Sequence, residues 1–243
     1  MIVIACGMPK SGSGLLFSLV HDVIEIGTGL NSRNLKRRLF LKFILRTYNN
    51  SIGHSSWIKL VLIYCYSLLV GTFVVKTHSN LNFYMKALVK LKLAVLFYSY
   101  RDPRDVIVSL KDHGEKIKGS HPHHDFVMLS NFKNALPEVK KWSAYFYRFH
   151  RKSICTCFSY EELKNEMGNI VYLIAKRLNI HLSKEDIKVI LKRYQANSEN
   201  FHSKGLHFNK GVSGRFRYDL TKNQIKSANK LLAKEIRDMG YIV

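Results

Sequence analysis

Residues 1–20, MIVIACGMPKSGSGLLFSLV, decide the fold. The first six are continuously apolar and rich in β-branched side chains, and Gly7 and Pro9 bound them. Such a run predicts a short strand buried on both faces of a parallel sheet. From Gly14 onward Leu15, Leu16, Leu19, Val20 and Val23 recur at helical spacing. The loop between, Gly7-Met8-Pro9-Lys10-Ser11-Gly12-Ser13-Gly14, offers backbone N–H groups and a helix N-terminus that can surround a tetrahedral anion. Lys10, Ser11 and Ser13 add donors. A nucleoside triphosphate loop carries its lysine directly after the last glycine, followed by Ser or Thr. Here Ser13 holds that slot, and the match fails.

Further along, the apolar runs at residues 72–76, 93–100 and 154–158 predict three more strands. Helical periodicity marks residues 35–48, 57–69, 82–92, a stretch beginning at Pro103, 126–150 with a break at Pro137, 161–179 and 184–194. Ser183 with Asp186, and Thr221 with Gln224, are placed to cap the last two helices. Residues 114–125 read as a polar loop holding His121, His123 and His124, and residues 197–220 as an irregular segment too long to be mere connection. Strands alternating with helices predict a single α/β domain over residues 1–243: a mainly parallel sheet with helices on both faces.

The composition suits one such core, with 47% apolar and 12% aromatic residues in 243. A net charge of +22 calls for an anionic partner. The basic residues are spread along the chain and form no arginine-rich run, so nucleic acid is not the expected partner. Cys6, Cys65, Cys155 and Cys157 all lie in apolar runs, which predicts buried, reduced thiols and a cytoplasmic location. The chain opens on its strand without the basic leader of a signal peptide. Its longest apolar stretch, residues 60–75, contains Gly71 and Thr72 and is short for a membrane span, so a helix and a buried strand are expected there, and no stable membrane insertion.

Strand ends supply the remaining chemistry, because an open parallel sheet gathers the residues at its strand C-termini around the ligand crevice. The second strand ends in Lys76-Thr77-His78, and the third in Arg101-Asp102-Pro103-Arg104-Asp105 with Ser109 beyond. The fourth ends in Ser159-Tyr160-Glu161-Glu162-Leu163, and Asn209-Lys210-Gly211 precedes the last helix. In their order these segments resemble the sulfotransferases that use 3'-phosphoadenosine 5'-phosphosulfate (PAPS): the PKSGSG loop, the Lys-Thr-His triplet, the Arg with Asp four and Ser eight later, a Tyr-Glu-Asp-Leu-like segment and an Arg-Lys-Gly-like loop.

The resemblance implies the sulfotransferase fold and in-line transfer of a sulfonate from PAPS to an acceptor hydroxyl or amine. It assigns Lys10 and Lys76 to charge on the leaving group, His78 to the acceptor proton, and Ser11, Gly12, Ser13 and Gly14 to the 5'-phosphosulfate. Arg101 and Ser109 fall to the 3'-phosphate, Tyr160 to the adenine, and Lys210 and Gly211 to a loop closing over the 3'-phosphate. Asp105 reads as an orienter of its loop. No metal is needed, and the histidines at 121–124 read as a solvated loop. Two positions depart from the pattern: Asn209 stands in place of an arginine, for which Arg215 and Arg217 are candidate substitutes, and Leu15 in place of a tryptophan. The expected acceptor is a small molecule or an anionic glycan. The rival readings are a nucleotide-dependent kinase of similar architecture, which Ser13 opposes, and a non-catalytic binder of nucleic acid or acidic glycan, which the charge favours.

Overall fold

Ile2, Ile4 and Cys6 project to one side of the first strand and Val3 and Ala5 to the other, and all five are fully buried. A strand without a polar face must sit in the middle of a sheet with both faces covered. The computed structural model, which describes residues 1–34, 41, 44–45, 49–150, 154–195 and 211–243, places it there. The strands β1 (Ile2–Gly7), β2 (Phe73–Thr77), β3 (Ala94–Tyr100) and β4 (Cys155–Ser159) run parallel in the order β2-β1-β3-β4. Ile2 pairs with Phe73 on one side and with Ala94 on the other. Residues 50–52 cover the open edge of β2: Lys76 N–H donates to the Asn50 carbonyl (3.2 Å) and Ile52 N–H to the Lys76 carbonyl (3.0 Å).

Helices clothe both faces, as the alternation predicts. Against Val3, Ala5, Val74, Phe97 and Phe158 pack α1 (Ser13–Thr28), α7 (Tyr160–Asn165), α8 (Met167–Leu178) and α9 (Lys184–Lys192). Against Ile2, Ile4, Cys6, Val75, Leu96 and Tyr98 pack α2 (Trp57–Val70), α3 (Phe83–Lys90), α4 (Pro103–Ile117), α6 (Phe132–His150), the single turn α10 (Phe216–Asp219) and α11 (Lys222–Asp238). A short α5 (Asp125–Met128) crosses α4. The expected helix over 35–48 lies outside the described residues except at Leu41, Ile44 and Leu45.

Four expectations about the elements change. The helix after Pro103 runs on to Ile117, through Gly114, because glycine there lets α5 approach: a Cβ at 114 would run into the Phe126 carbonyl and the Ser130 side chain. Pro137 does not break α6: it is exposed, and so is Lys133, the residue whose carbonyl a proline at 137 leaves without an amide partner. The break falls instead between α5 and α6. The helix expected over 161–179 is two, divided at Glu166, whose ψ of 32° leaves the helical range. Lastly, Cys65 is exposed on the outer side of α2, although Cys6 is buried and Cys155 and Cys157 are half-buried; all four thiols are free. Among the described residues no helix is long and apolar enough to cross a membrane.

Candidate active site

Beyond β1 the chain returns to the sheet first on one side, as β2, and then on the other, as β3. The carboxyl ends of β1 and β3 therefore flank the point where the order reverses, which is where an open α/β sheet has its ligand crevice. Residues 7–14 fill this place. Lys10 (φ 66°) and Gly12 (φ 84°) both lie in the left-handed region, so successive N–H groups turn toward the same side, as in an anion-binding concavity. The cap of α1 makes no side-chain hydrogen bond. The first-turn N–H groups, which helical geometry leaves without partners, and the positive end of the helix dipole thus face the crevice.

Two glycines keep this loop close to its neighbours. A Cβ on Gly7 would run into Ser99 Oγ, and one on Gly12 would lie 2.9 Å from the Tyr160 ring. The buried Ser11 hydroxyl lies 2.8 Å from the Met8 carbonyl and 3.0 Å from both the carbonyl and the Oγ of Ser99. Its one proton is directed inward. Ser11 thus ties the loop to the end of β3, and its hydroxyl is not among the donors that face the crevice, unlike the role expected of it.

Cations crowd the same end of the sheet. Burial first, and then Arg101, lowers Lys10 to about 8, with Asp112 opposing. Burial and then Lys10 lower Lys76 to about 8 as well. Buried lysines depressed further by neighbouring cations mark a place where positive charge outweighs negative. His78 Nδ1 lies 2.7 Å from the Gly7 carbonyl. A carbonyl can only accept, so Nδ1 carries the proton and Nε2 presents its lone pair. Burial, followed by the Lys76 charge, lowers His78 to about 3, so the ring is neutral at ordinary pH.

Asp102 caps α4 by accepting from Arg104 N–H, and Pro103 occupies the first turn. This fixes Arg101 at the crevice. Its guanidinium lies over the Tyr160 ring, 4.1 Å from the centroid, and Nη2 donates to the Val212 carbonyl at 2.7 Å. Arg101 Nε is buried without a partner, a donor left for something the chain does not supply. Ser109 is half-buried two turns into α4. Tyr160 is buried between Arg101 and Gly12, so its ring backs the loop and the arginine. Gly211 (φ 64°) is set in an open position, and Lys210 and Asn209 lie outside the described residues.

Asp105 accepts from the backbone N–H groups of Gly214 (2.6 Å) and Phe216 (3.0 Å), so one carboxylate holds the C-terminal loop beside Arg101. Arg215 is committed elsewhere, 2.7 Å from Asp112 and 2.6 Å from Asp219, and the Arg217 guanidinium lies against Phe216. Two further residues escaped the sequence reading. Ser99 shapes the loop through Ser11, and only its place at a strand end signals this. Arg104 grips Asp102, the Asn229 side chain and the Ile242 carbonyl, and lies 3.9 Å over the Phe216 ring. Its signal is the repeated Arg-Asp of residues 101–105.

Among the described residues, His21, Asp22 and Glu25 bring metal-ligand atoms together, but Arg193 Nη1 already lies 3.1 Å from Asp22 and 2.7 Å from Glu25. Those carboxylates have their counter-charge. His121 to His124 form no such group: His121 Nδ1 meets Ser120 Oγ, and the His124 ring accepts from Phe126 N–H.

A family model described as sulfotransferase domain matches residues 2–240. Comparison with curated proteins gives no match. Among solved structures, a retinol dehydratase in complex with retinol and PAP aligns with a TM-score of 0.64 at 16% identity, covering 100% of this chain and 83% of that one. A mouse sulfotransferase complexed with PAP gives 0.65 at 15% identity, with 98% and 85% covered. A sulfotransferase from Mycobacterium avium gives 0.54 at 14% identity, with 100% and 77% covered. At these identities the likeness to solved structures is one of fold.

Proposed function

Since this chain belongs to the sulfotransferase domain family, we propose that it transfers a sulfonate group from PAPS to an acceptor hydroxyl or amine. The convergence of Lys10, Lys76 and the neutral His78 at the ends of β1 and β2 carries the reading. The donor set fits a bis-anionic nucleotide: a glycine loop at a helix N-terminus, two buried lysines depressed by neighbouring cations, and the orphaned Arg101 Nε. PAPS brings an activated sulfonate whose bridging oxygen departs with adenosine 3',5'-bisphosphate (PAP). Everything else falls to the protein.

The N–H groups of Gly12, Ser13 and Gly14 hold the 5'-phosphate end, and Lys10 and Lys76 offset the charge that grows on the leaving oxygen. Arg101 and Ser109, with Lys210 and Gly211 from the C-terminal loop, hold the 3'-phosphate, and Tyr160 stacks beneath Arg101 beside the adenine site. As the acceptor oxygen or nitrogen bonds to sulfur, its proton passes to His78 Nε2, the ring nitrogen left open by the Gly7 contact. An arriving anion offsets Lys76 and Lys10 and so raises the basicity of that nitrogen. The free thiols suit a reducing, cytoplasmic setting, and the acceptor is a small molecule or an anionic glycan.

Turnover of His78→Ala is expected to fall by about two to four decades while PAP still raises its melting temperature. Near-normal turnover would remove His78 from the mechanism. A stronger thermal response to ATP and magnesium than to PAP would overturn the donor assignment itself.

A further inference from the structure

The α2 helix, WIKLVLIYCYSLLV, is apolar on every side, and such helices are ordinarily buried all round. Here Leu60, Ile63 and Ser67 are buried, and Tyr64, Tyr66 and Val70 are partly buried against the core. Trp57, Ile58, Val61, Leu62, Leu68 and Leu69 lie on the outside, from 41% exposed at Leu62 to 80% at Leu69. The helix's one charge, Lys59, is turned to the carbonyls of Ile52 and His54. The neighbouring α3 continues the patch with Phe83 (75% exposed), and Leu91 just beyond it is 65% exposed. Large apolar side chains exposed in this number on two neighbouring helices mark an interaction site.

Charge selects the occupant. From residue 26 to residue 101 the chain holds twelve Lys and Arg and no Asp or Glu. Lys90 and Lys92, which flank Leu91, are exposed, and Lys86 on α3 is half-buried. A second copy would bring the lysines at 86, 90 and 92 near their own counterparts with no carboxylate between residues 26 and 101 to offset them, so self-association is opposed by like charge. An apolar helix face rimmed by lysine and bearing a tryptophan is instead the composition of an element that lies in a membrane interface. We propose that the α2 face, with the α3 lysines, docks on the surface of an anionic phospholipid bilayer. The chain then lies on the membrane and does not span it. The inference goes beyond sulfonate transfer and does not rest on it.

The test is flotation of the full chain with vesicles of phosphatidylcholine alone or mixed with phosphatidylserine. The chain is expected to float with the mixed vesicles, less so as salt rises, and to stay in solution with the neutral ones. Leu62→Glu with Leu69→Glu is expected to lower the partition coefficient by more than about tenfold, through lost apolar burial and added repulsion. Both positions are exposed, and near-UV circular dichroism checks that the fold survives. Should the double variant not fold, Lys90→Ala with Lys92→Ala reads the electrostatic half, and partition is expected to fall about tenfold. Absence of flotation at low salt, equal partition onto neutral vesicles, or unchanged partition in the folded variants overturns the proposal. So does a dimer in light scattering that the Leu62→Glu and Leu69→Glu pair dissociates, which would assign the face to a second copy.

Discussion

Lys10 and Lys76 give the site its pH dependence. Both are held at about 8, against 10.5 for a free lysine, by burial and by other cations nearby. Between pH 8 and 10.5 the unfolded chain binds more protons than the folded one, so the stability of the ligand-free protein rises with pH across that window. Below pH 8 both states are protonated and the penalty stands in full. PAP needs the charged forms, so its affinity is expected to fall above about pH 8. Titration calorimetry at pH 7 and 9 checks this, and Lys10→Arg, which cannot lose its charge, is expected to flatten the dependence. Unchanged affinity at pH 9 would mean that neither lysine titrates near the ligand. That Lys10, Lys76, His78 and Arg101 gather at one end of the sheet was legible in the sequence, because each stands at or just beyond the end of a strand. The inward turn of Ser11 was not, since it is set by Ser99, 88 residues away.

At the level of elements, the Asp105 carboxylate joins the start of α4 to the loop before α10 through two N–H groups. Asp105→Asn leaves one acceptor oxygen for two donors and removes the charge beside Arg101, a loss of about 1–3 kcal/mol. The amides of Gly214 and Phe216 are expected to exchange faster in the variant, with the β1 amides unchanged, and PAP to bind about tenfold more weakly. Unaltered exchange at both amides would show that the tether is idle. All four strands were predicted within a residue of their bounds; for β1, β2 and β3 this is because a strand buried on both faces writes itself as a largely apolar run, whereas β4 at the sheet edge is only half-buried. Helix ends were less legible. Gly114 and Pro137 look like breaks in isolation, yet one serves the crossing of α5 and the other faces water. Ser159 and Glu162 form a capping box that begins α7 at Tyr160, one residue before the periodicity suggested.

Across the whole molecule, the chain's C-terminal segment is tied back to the crevice. Tyr241 donates to Glu161 at 2.7 Å, and Arg104 to the Ile242 carbonyl at 2.6 Å. Removing residues 241–243 leaves the buried Arg104 short of an acceptor. The melting temperature is expected to drop by roughly 5 °C, at about 2–4 °C per kcal/mol for a chain of this size. Calorimetry checks it, and an unchanged transition would mean that the tie contributes nothing. The clasp between Ser11 and Ser99 has a consequence for synthesis. The loop at 7–14 emerges from the ribosome long before the serine that shapes it, and β1 meets its strand partners only when residues 73–77 and then 94–100 arrive. A nascent chain arrested before β3 therefore has the nucleotide loop's full sequence without the Ser99 contacts that hold its form. PAP added to a translation mixture can rescue only chains already past that point.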